Sequence, residues 1–262
     1  MKNEVEWAKM TAAELKSLAA LPRSTAILVT GSLEQHGPHL PVSTDTVGAE
    51  NAARDGARIA MSQLPVALLP SLWAGLSEYH MPFGGTISLD YAAWHAMLRC
   101  VARSLKTLGF QRLLIVNGHG GNTAPLEISV RELSVAFSMP IVAMTPWFNI
   151  QLDDVMETDE VVEHACEAET SLMLALLPEA VRRNKFDEAA VPHPHRRPEK
   201  GFTRFYSFND CAPVTGTWGD PRLATSGKGD ILRERLGRAV ADVLLNEDIW
   251  FAVEDVWAVQ AK

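Results

Sequence analysis

Apolar residues in this chain fall into short blocks separated by longer stretches with helical spacing. The blocks Ser24–Gly31, Val66–Pro70, Arg112–Asn117 and Pro140–Thr145 are apolar or β-branched, too short for helices, and bounded by Gly, Pro or polar residues. Each predicts a buried strand. Between them the spacing predicts helices over Val47–Met61, from Ser88 or Asp90 to about Leu108, and from the loop after Asn117 through Glu127 to about Phe137. A helix capped by Thr11 and ended by Pro22 precedes the first strand, and a last one is expected from about Gly229 to Asn246. Strands alternating with helices predict an α/β fold.

In the segment Glu163–Leu177, a helical projection puts Val162, Ala165, Leu172, Met173 and Leu176 on one face with Glu169 in its middle. A carboxylate there is costly unless a partner or a metal compensates it, so Glu169 is a candidate ligand. Glu163 and Glu167 fall on another face and are expected in solvent. From about Asn184 to Lys228 the periodicity fades into Pro, His, Arg and Gly. His193-Pro-His195-Arg-Arg has neither helical nor strand spacing, so an exposed arm is expected over 184–228.

With 262 residues and 47% hydrophobic composition, the chain can bury one sizeable core, and a single domain over 1–262 is expected. A formal charge of −8 argues against a general electrostatic grip on nucleic acid or an anionic membrane. Cys100, Cys166 and Cys211 are widely spaced, without a Cys-x-x-Cys, so neither a disulfide framework nor a thiolate zinc site is indicated, and a reducing cytoplasm fits. No apolar run approaches the roughly 18 residues of a membrane span.

The candidate chemistry sits where the strands end. Glu34, His36, His39 and Asp45 follow the first strand in a turn-rich segment. Glu34 and His36 project to the same side of an extended chain, and Gly37-Pro38 turns the chain so that Asp45 returns to them. Carboxylate oxygen with imidazole nitrogen suits zinc, manganese or iron. His39 stands either as a ligand, as a partner of one, or as plain loop. His119 lies in Gly118-His-Gly-Gly-Asn122 after the third strand, where it offers a further ligand; alternatively the loop's N–H groups cradle a phosphate. Ser77 and His80 lie in a long Gly- and Pro-rich loop expected to form a substrate wall. Gly120 and Gly121 let a substrate approach the backbone, and Trp147 lines the pocket or joins the core. Glu34, His36, Asp45, His119 and Glu169 suit two divalent ions bridged by Asp45. Such a pair acidifies a shared water and polarises a carbonyl, the chemistry of amide hydrolysis. His164 is the candidate for protonating the leaving nitrogen.

Four linked motifs carry a resemblance: Glu34-x-His36-Gly-Pro-His39 with Asp45, Ser77-x-x-His80 followed by Phe83-x-Gly-Thr86, Asn117-Gly-His-Gly-Gly-Asn122, and His164-Ala-x-Glu-x-Glu-Thr-Ser171. Together they resemble the creatininase (creatinine amidohydrolase) family from about residue 24 to Lys228. The resemblance implies a three-layer α/β/α sandwich with a mostly parallel sheet, and two divalent metal ions per chain (zinc, manganese or iron). It implies hydrolysis of a cyclic amide or formamide rather than a peptide bond, and a homohexamer built as a trimer of dimers. It places Glu34, His36, Asp45 and His119 at metal positions and His164 at the proton-transfer position. Creatinine-hydrolysing members carry an aromatic residue and a metal-binding carboxylate where this chain has Gly120 and Gly121. The two glycines therefore point away from creatinine, make Glu169 the replacement ligand, and are expected to open the pocket beside His119. This Gly-Gly form resembles members linked to formamide deformylation and to peptide-cofactor maturation. Creatinine hydrolysis proper, a non-catalytic ligand-binding protein with a structural metal, and a phosphate-binding transferase using Gly118–Asn122 are the competing readings.

Overall fold

The computed structural model describes residues 4–158, 162–190, 215–251 and 253. Four strands, β1 (Thr25–Thr30), β2 (Val66–Leu68), β3 (Arg112–Asn117) and β4 (Ile141–Met144), form one sheet in the order β2-β1-β3-β4, with every pair parallel. The helices are α1 (Ala12–Ala19), α2 (Thr44–Ala60), α3 (Tyr91–Leu108), α4 (Thr123–Phe137), α5 (Glu167–Leu176), α6 (Phe186–Ala189) and α7 (Ser226–Leu245).

Every residue of β1 and β3 is buried, as a parallel sheet covered on both faces requires. Alternation along the strands divides the core. Ile27, Val29, Leu114 and Val116 pack with Ala49, Ala52, Ala53 and Ala57 of α2 and Leu236, Val240 and Leu244 of α7. Ala26, Leu28, Leu113 and Ile115 face Leu15 of α1, Trp94, Leu98 and Leu105 of α3, and Leu126 and Leu133 of α4. The result is the three-layer α/β/α sandwich. No helix among the described residues is long and apolar enough to cross a membrane.

Several helices start at their polar signals. Thr11 and Glu14 form a reciprocal cap on α1, Asp90 Oδ1 accepts from Ala93 N at 2.8 Å on α3, and the Thr225 side chain caps α7. Two starts that differ from expectation move chemistry. α2 begins at Thr44, so Asp45 lies in a helical first turn rather than in the preceding loop. α5 begins only at Glu167, because Ala165 adopts a left-handed φ of 56° and Cys166 becomes the N-cap. His164 is therefore outside the helix. Of the arm expected over 184–228, residues 191–214 lie outside the described residues, and so do His193, His195 and Trp257. The rest is not irregular throughout: it includes α6, and α7 starts at Ser226 rather than Gly229.

Glu167, expected in solvent, is fully buried. The helical projection could not show what covers it. Lys228, from the first turn of α7, reaches Glu167 Oε1, while also contacting Glu157 Oε1 at 2.8 Å and Leu223 O at 3.0 Å. Glu167 Oε2 accepts from Glu157 N (3.0 Å), Thr158 N (2.8 Å) and Thr158 Oγ1 (2.7 Å). Burial works against the charge, yet Lys228 and these donors hold the carboxyl below its ordinary range. Lys228→Met leaves this buried anion without its cation and should cost about 2–3 kcal/mol, the scale of a hydrogen bond to a charged group. Urea denaturation checks it, and Lys228→Met/Glu167→Gln should recover part of the loss because the stranded charge is gone.

Candidate metal centre

β1 and β3 are neighbours with Thr30 level with Asn117, so the loops after both strands open at the same edge of the sheet. Glu34 and His36 come from the first loop and His119 from the second. Asp45 is supplied by the first turn of α2 and Glu169 by the first turn of α5. Asn117 fixes the second loop: its Nδ2 donates to His119 O at 2.7 Å, and its Oδ1 faces Thr30 Oγ1 at 3.2 Å. All five expected ligand side chains are brought together and buried.

They form two groups that share Asp45. Asp45 Oδ2 and Glu34 Oε2 each lie 3.1 Å from His119 Nδ1. Neither oxygen has an aligned hydrogen-bond donor, so buried lone pairs converge on one point. Asp45 Oδ1 turns the other way, 3.1 Å from His36 Nε2, which is 3.8 Å from Glu169 Oε2. Ligand-capable atoms of Glu34, Asp45 and His119 lie within 4.8 Å of one another, as do those of His36, His164 and Glu169, and those of Glu34, His80 and His164. His39 belongs to none of these groups among the described residues. Its Nε2 lies 2.9 Å from Thr170 Oγ1, and its ring stands edge-on to Phe186.

Electrostatics make this a place that seeks positive charge. Burial alone would pull the His36 ring down, but the Asp45, Glu169 and Glu34 carboxylates outweigh it and raise its pKa to about 10. His119 is likewise raised against burial, chiefly by Glu34. Burial, together with the Asp45 and Glu34 carboxylates, pushes the Glu169 carboxyl up. A buried carboxylate cluster that raises its own imidazoles is a donor set suited to divalent cations. The residues therefore fit divalent cations, and the two oxygens of Asp45 are directed to different imidazoles.

The outlying imidazoles are different. Burial lowers His80 to about 4 and His39 to about 3, and lowers His164 well below its ordinary value, so all three are neutral. Gln35, which the sequence did not single out, orients two of them. Its Oε1 accepts from Gly37 N at 2.9 Å, and its amide hydrogens go to His80 Nδ1 (2.8 Å) and Gly216 O (2.9 Å). His80 Nδ1 must then accept, leaving Nε2–H to donate towards Glu34 Oε1 at 3.2 Å. His164 Nε2 lies 2.8 Å from Gln35 O, which can only accept. The proton of His164 is thus on Nε2, and the contact between its Nε2 and Gln35 Nε2 at 3.1 Å is a close approach rather than a bond. Nδ1 is left facing the centre, 3.7 Å from Glu34 Oε1. Reciprocal backbone bonds between His164 and Trp218 (3.1 and 2.8 Å) hold the residue there.

A cavity of about 360 Å³ opens onto these groups, lined in part by Tyr79, Trp147, Phe148, Val162, Glu163 and Trp218. Of the expected substrate wall, His80, Gly120 and Trp147 lie on it. Ser77 does not: it is buried behind His119, with Oγ 3.1 Å from His119 Nε2. Gly121 is not on the wall either. Glu163, expected in solvent, lines the cavity.

The two glycines are not equivalent. A methyl at Gly120 would meet nothing within 4 Å, so this position does open the pocket. A methyl at Gly121 would stand 2.5 Å from His119 Nε2, 2.5 Å from Leu76 O and 2.7 Å from the Tyr79 hydroxyl. Tyr79, unrecognised in the sequence, occupies the room that a side chain at 121 would need. Its ring lies nearly parallel to that of His119, with an interplanar angle of 16°. Gly121→Ala should therefore cost about 1–3 kcal/mol by overpacking, whereas Gly120→Ala should stay within about 0.5 kcal/mol. Thermal denaturation of both variants checks the contrast, and equal losses would refute it.

Known proteins share this arrangement of sequence and fold to different extents. The sequence model of the family described as creatininase, creatinine amidohydrolase, matches residues 8–244. The mycofactocin precursor peptide peptidase of Mycobacterium ulcerans (strain Agy99) is 32% identical over 209 residues, covering 78% of this chain and 77% of its own. The creatinine amidohydrolase of Pseudomonas putida is 26% identical over 268 residues, covering 94% of this chain and 98% of its own. The crystal structure of creatinine amidohydrolase (creatininase) superposes with a TM-score of 0.79 at 25% identity, covering 93% of this chain and 97% of that one.

Proposed function

The chain belongs to the creatininase family, and from that premise we propose that it is a hydrolase of amide C–N bonds that works with two divalent cations. One observation carries the reading: the two oxygens of Asp45 are divided between His119 and His36, each at 3.1 Å, with Glu34 beside one ring and Glu169 beside the other. Glu34, Asp45 and His119 would hold one cation, and Asp45, His36 and Glu169 the other. Bound there, such a pair polarises a carbonyl and brings the pKa of a water towards neutrality.

The remaining steps belong to the chain's own groups. Ser77 Oγ and Leu76 O steady His119 Nε2, which turns Nδ1 towards Glu34 and Asp45. Gln35 commits His164 Nε2–H, so Nδ1 is the atom that takes a proton and returns it to the departing nitrogen. Trp147, Tyr79 and Trp218 form part of the cavity wall around the substrate. The open space at Gly120 suits a substrate larger than creatinine. The bond was expected to be a non-peptide one. Because a relative at 32% identity is named for a precursor peptide, the proposal covers amides in small molecules and in peptides alike. Cytoplasmic location and assembly as a homohexamer, a trimer of dimers, are part of the same reading.

The test is a protein stripped by chelation and reloaded separately with zinc, manganese or ferrous iron. Each form is offered lactams, hydantoin-like rings, formamides, short peptides and creatinine. Turnover of an amide that disappears with the cations and returns with them supports the proposal, and creatinine should be the poorer substrate. A protein that retains no cation, or whose activity is unchanged when stripped, would sink it.

A further inference from the structure

β4 lies at one edge of the sheet. Leu113 N–H donates to Pro140 O at 3.1 Å, and in a parallel ladder alternate residues serve the partner strand. Val142 and Met144 therefore face β3, while Ile141 and Ala143 turn their N–H and C=O outward. No described residue pairs with that outer edge. Beside it runs a cleft of about 520 Å³, with Ala143 and Met144 on its floor, Leu126 and Val130 of α4 on one wall, and Val243 and Ile249 on the other. It adjoins the candidate catalytic cavity, with Thr145 and Phe148 lining both. Asn117 Nδ2 donates to Thr145 Oγ1 at 3.1 Å and also to His119 O, tying the junction to the metal loop.

A groove with an open strand at its base is an aggregation liability unless something pairs with it. This one lies next to the cavity onto which the candidate ligands open. We propose that the cleft binds an extended peptide, which adds to β4 as a fifth strand and delivers a flanking amide to the catalytic cavity. The inference rests on the amide-hydrolase reading and names one class of substrate for it. Main-chain bonds to Ala143 accept any sequence, while Leu126, Val130, Val243 and Ile249 offer apolar contacts and Glu127 and Arg131 charged ones to the side chains of the bound strand. The four residues of β4 span about 13 Å, so about four residues of peptide are held.

Two variants test this with two probes: a short amide turned over by the cation-loaded enzyme, and a library of unstructured decapeptides read by mass spectrometry. Ala143→Pro deletes the N–H facing the cleft, at the kind of edge position where sheets tolerate proline. Val130→Glu charges a wall without touching β4. Both should raise KM for cleaved decapeptides by about tenfold or more and leave short-amide turnover within about twofold. Decapeptides left uncut by an enzyme that hydrolyses the short amide overturn the cleft proposal alone. So do variants that cleave them as the parent does, or that change oligomeric state in light scattering, since the edge would then pair with a second copy. If neither probe is hydrolysed, the functional reading falls with it. Should Ala143→Pro fail to fold by circular dichroism, Val130→Glu decides.

Discussion

Asp45→Ala is expected to empty both cation positions at once and to lower turnover by more than about a hundredfold, beyond what losing a partner outside the ligand set costs. No other candidate ligand has this double consequence, because only Asp45 faces both imidazoles at 3.1 Å, one with each oxygen. Glu169→Ala and His119→Ala should each release mainly the ion on their own side. Elemental analysis after loading and desalting gives ions per chain directly. An Asp45→Ala protein that still carries two would end the shared-ligand reading, and one that carries a single ion would move the bridge elsewhere.

His164→Asn should show the opposite pattern: both ions kept, the fold kept, and kcat lowered by about 10²–10⁴-fold, the contribution of a general acid–base group. The argument is positional. His164 Nε2–H is spent on Gln35 O at 2.8 Å, and the backbone is pinned by Trp218, so the ring is presented rather than buried as filler. One of its ring nitrogens also lies within 4.8 Å of donor atoms of His36 and Glu169. Metal analysis separates the two roles. Loss of one ion per chain in His164→Asn would make the ring a ligand, and near-normal turnover in an ion-replete variant would assign the proton transfer to another group.

The strands were legible because a parallel sheet buried on both faces leaves continuous apolar runs, and the helix starts at Thr11 and Asp90 because their capping oxygens are local. The ligand candidates were legible for a related reason: polar side chains in turn-rich segments directly after buried strands arrive at one edge of the sheet. What escaped depends on contacts distant in sequence. Gln35 is understood only through His80 and Gly216, which are 45 and 181 positions away. Tyr79 matters through its hydroxyl, which fills the space beside Gly121, and its ring, which lies over His119. Glu167 belongs to a surface that α7 and the 157–158 turn cover, and no helical projection of one segment contains its lid. His164 was placed at a helix start, and whether it faced the pocket turned on a single left-handed residue, Ala165.

Glu34, Asp45, His119 and Glu169 belong to four separate elements: the loop after β1, the first turn of α2, the loop after β3 and the first turn of α5. Cations bound among them would act as crosslinks between distant parts of the chain, present in the folded state and absent from the unfolded one. Folding is then linked by mass action to ion activity. At a hundredfold excess over the dissociation constant each site adds about 2.7 kcal/mol, so the melting temperature of this chain belongs as much to the solution around it as to its sequence.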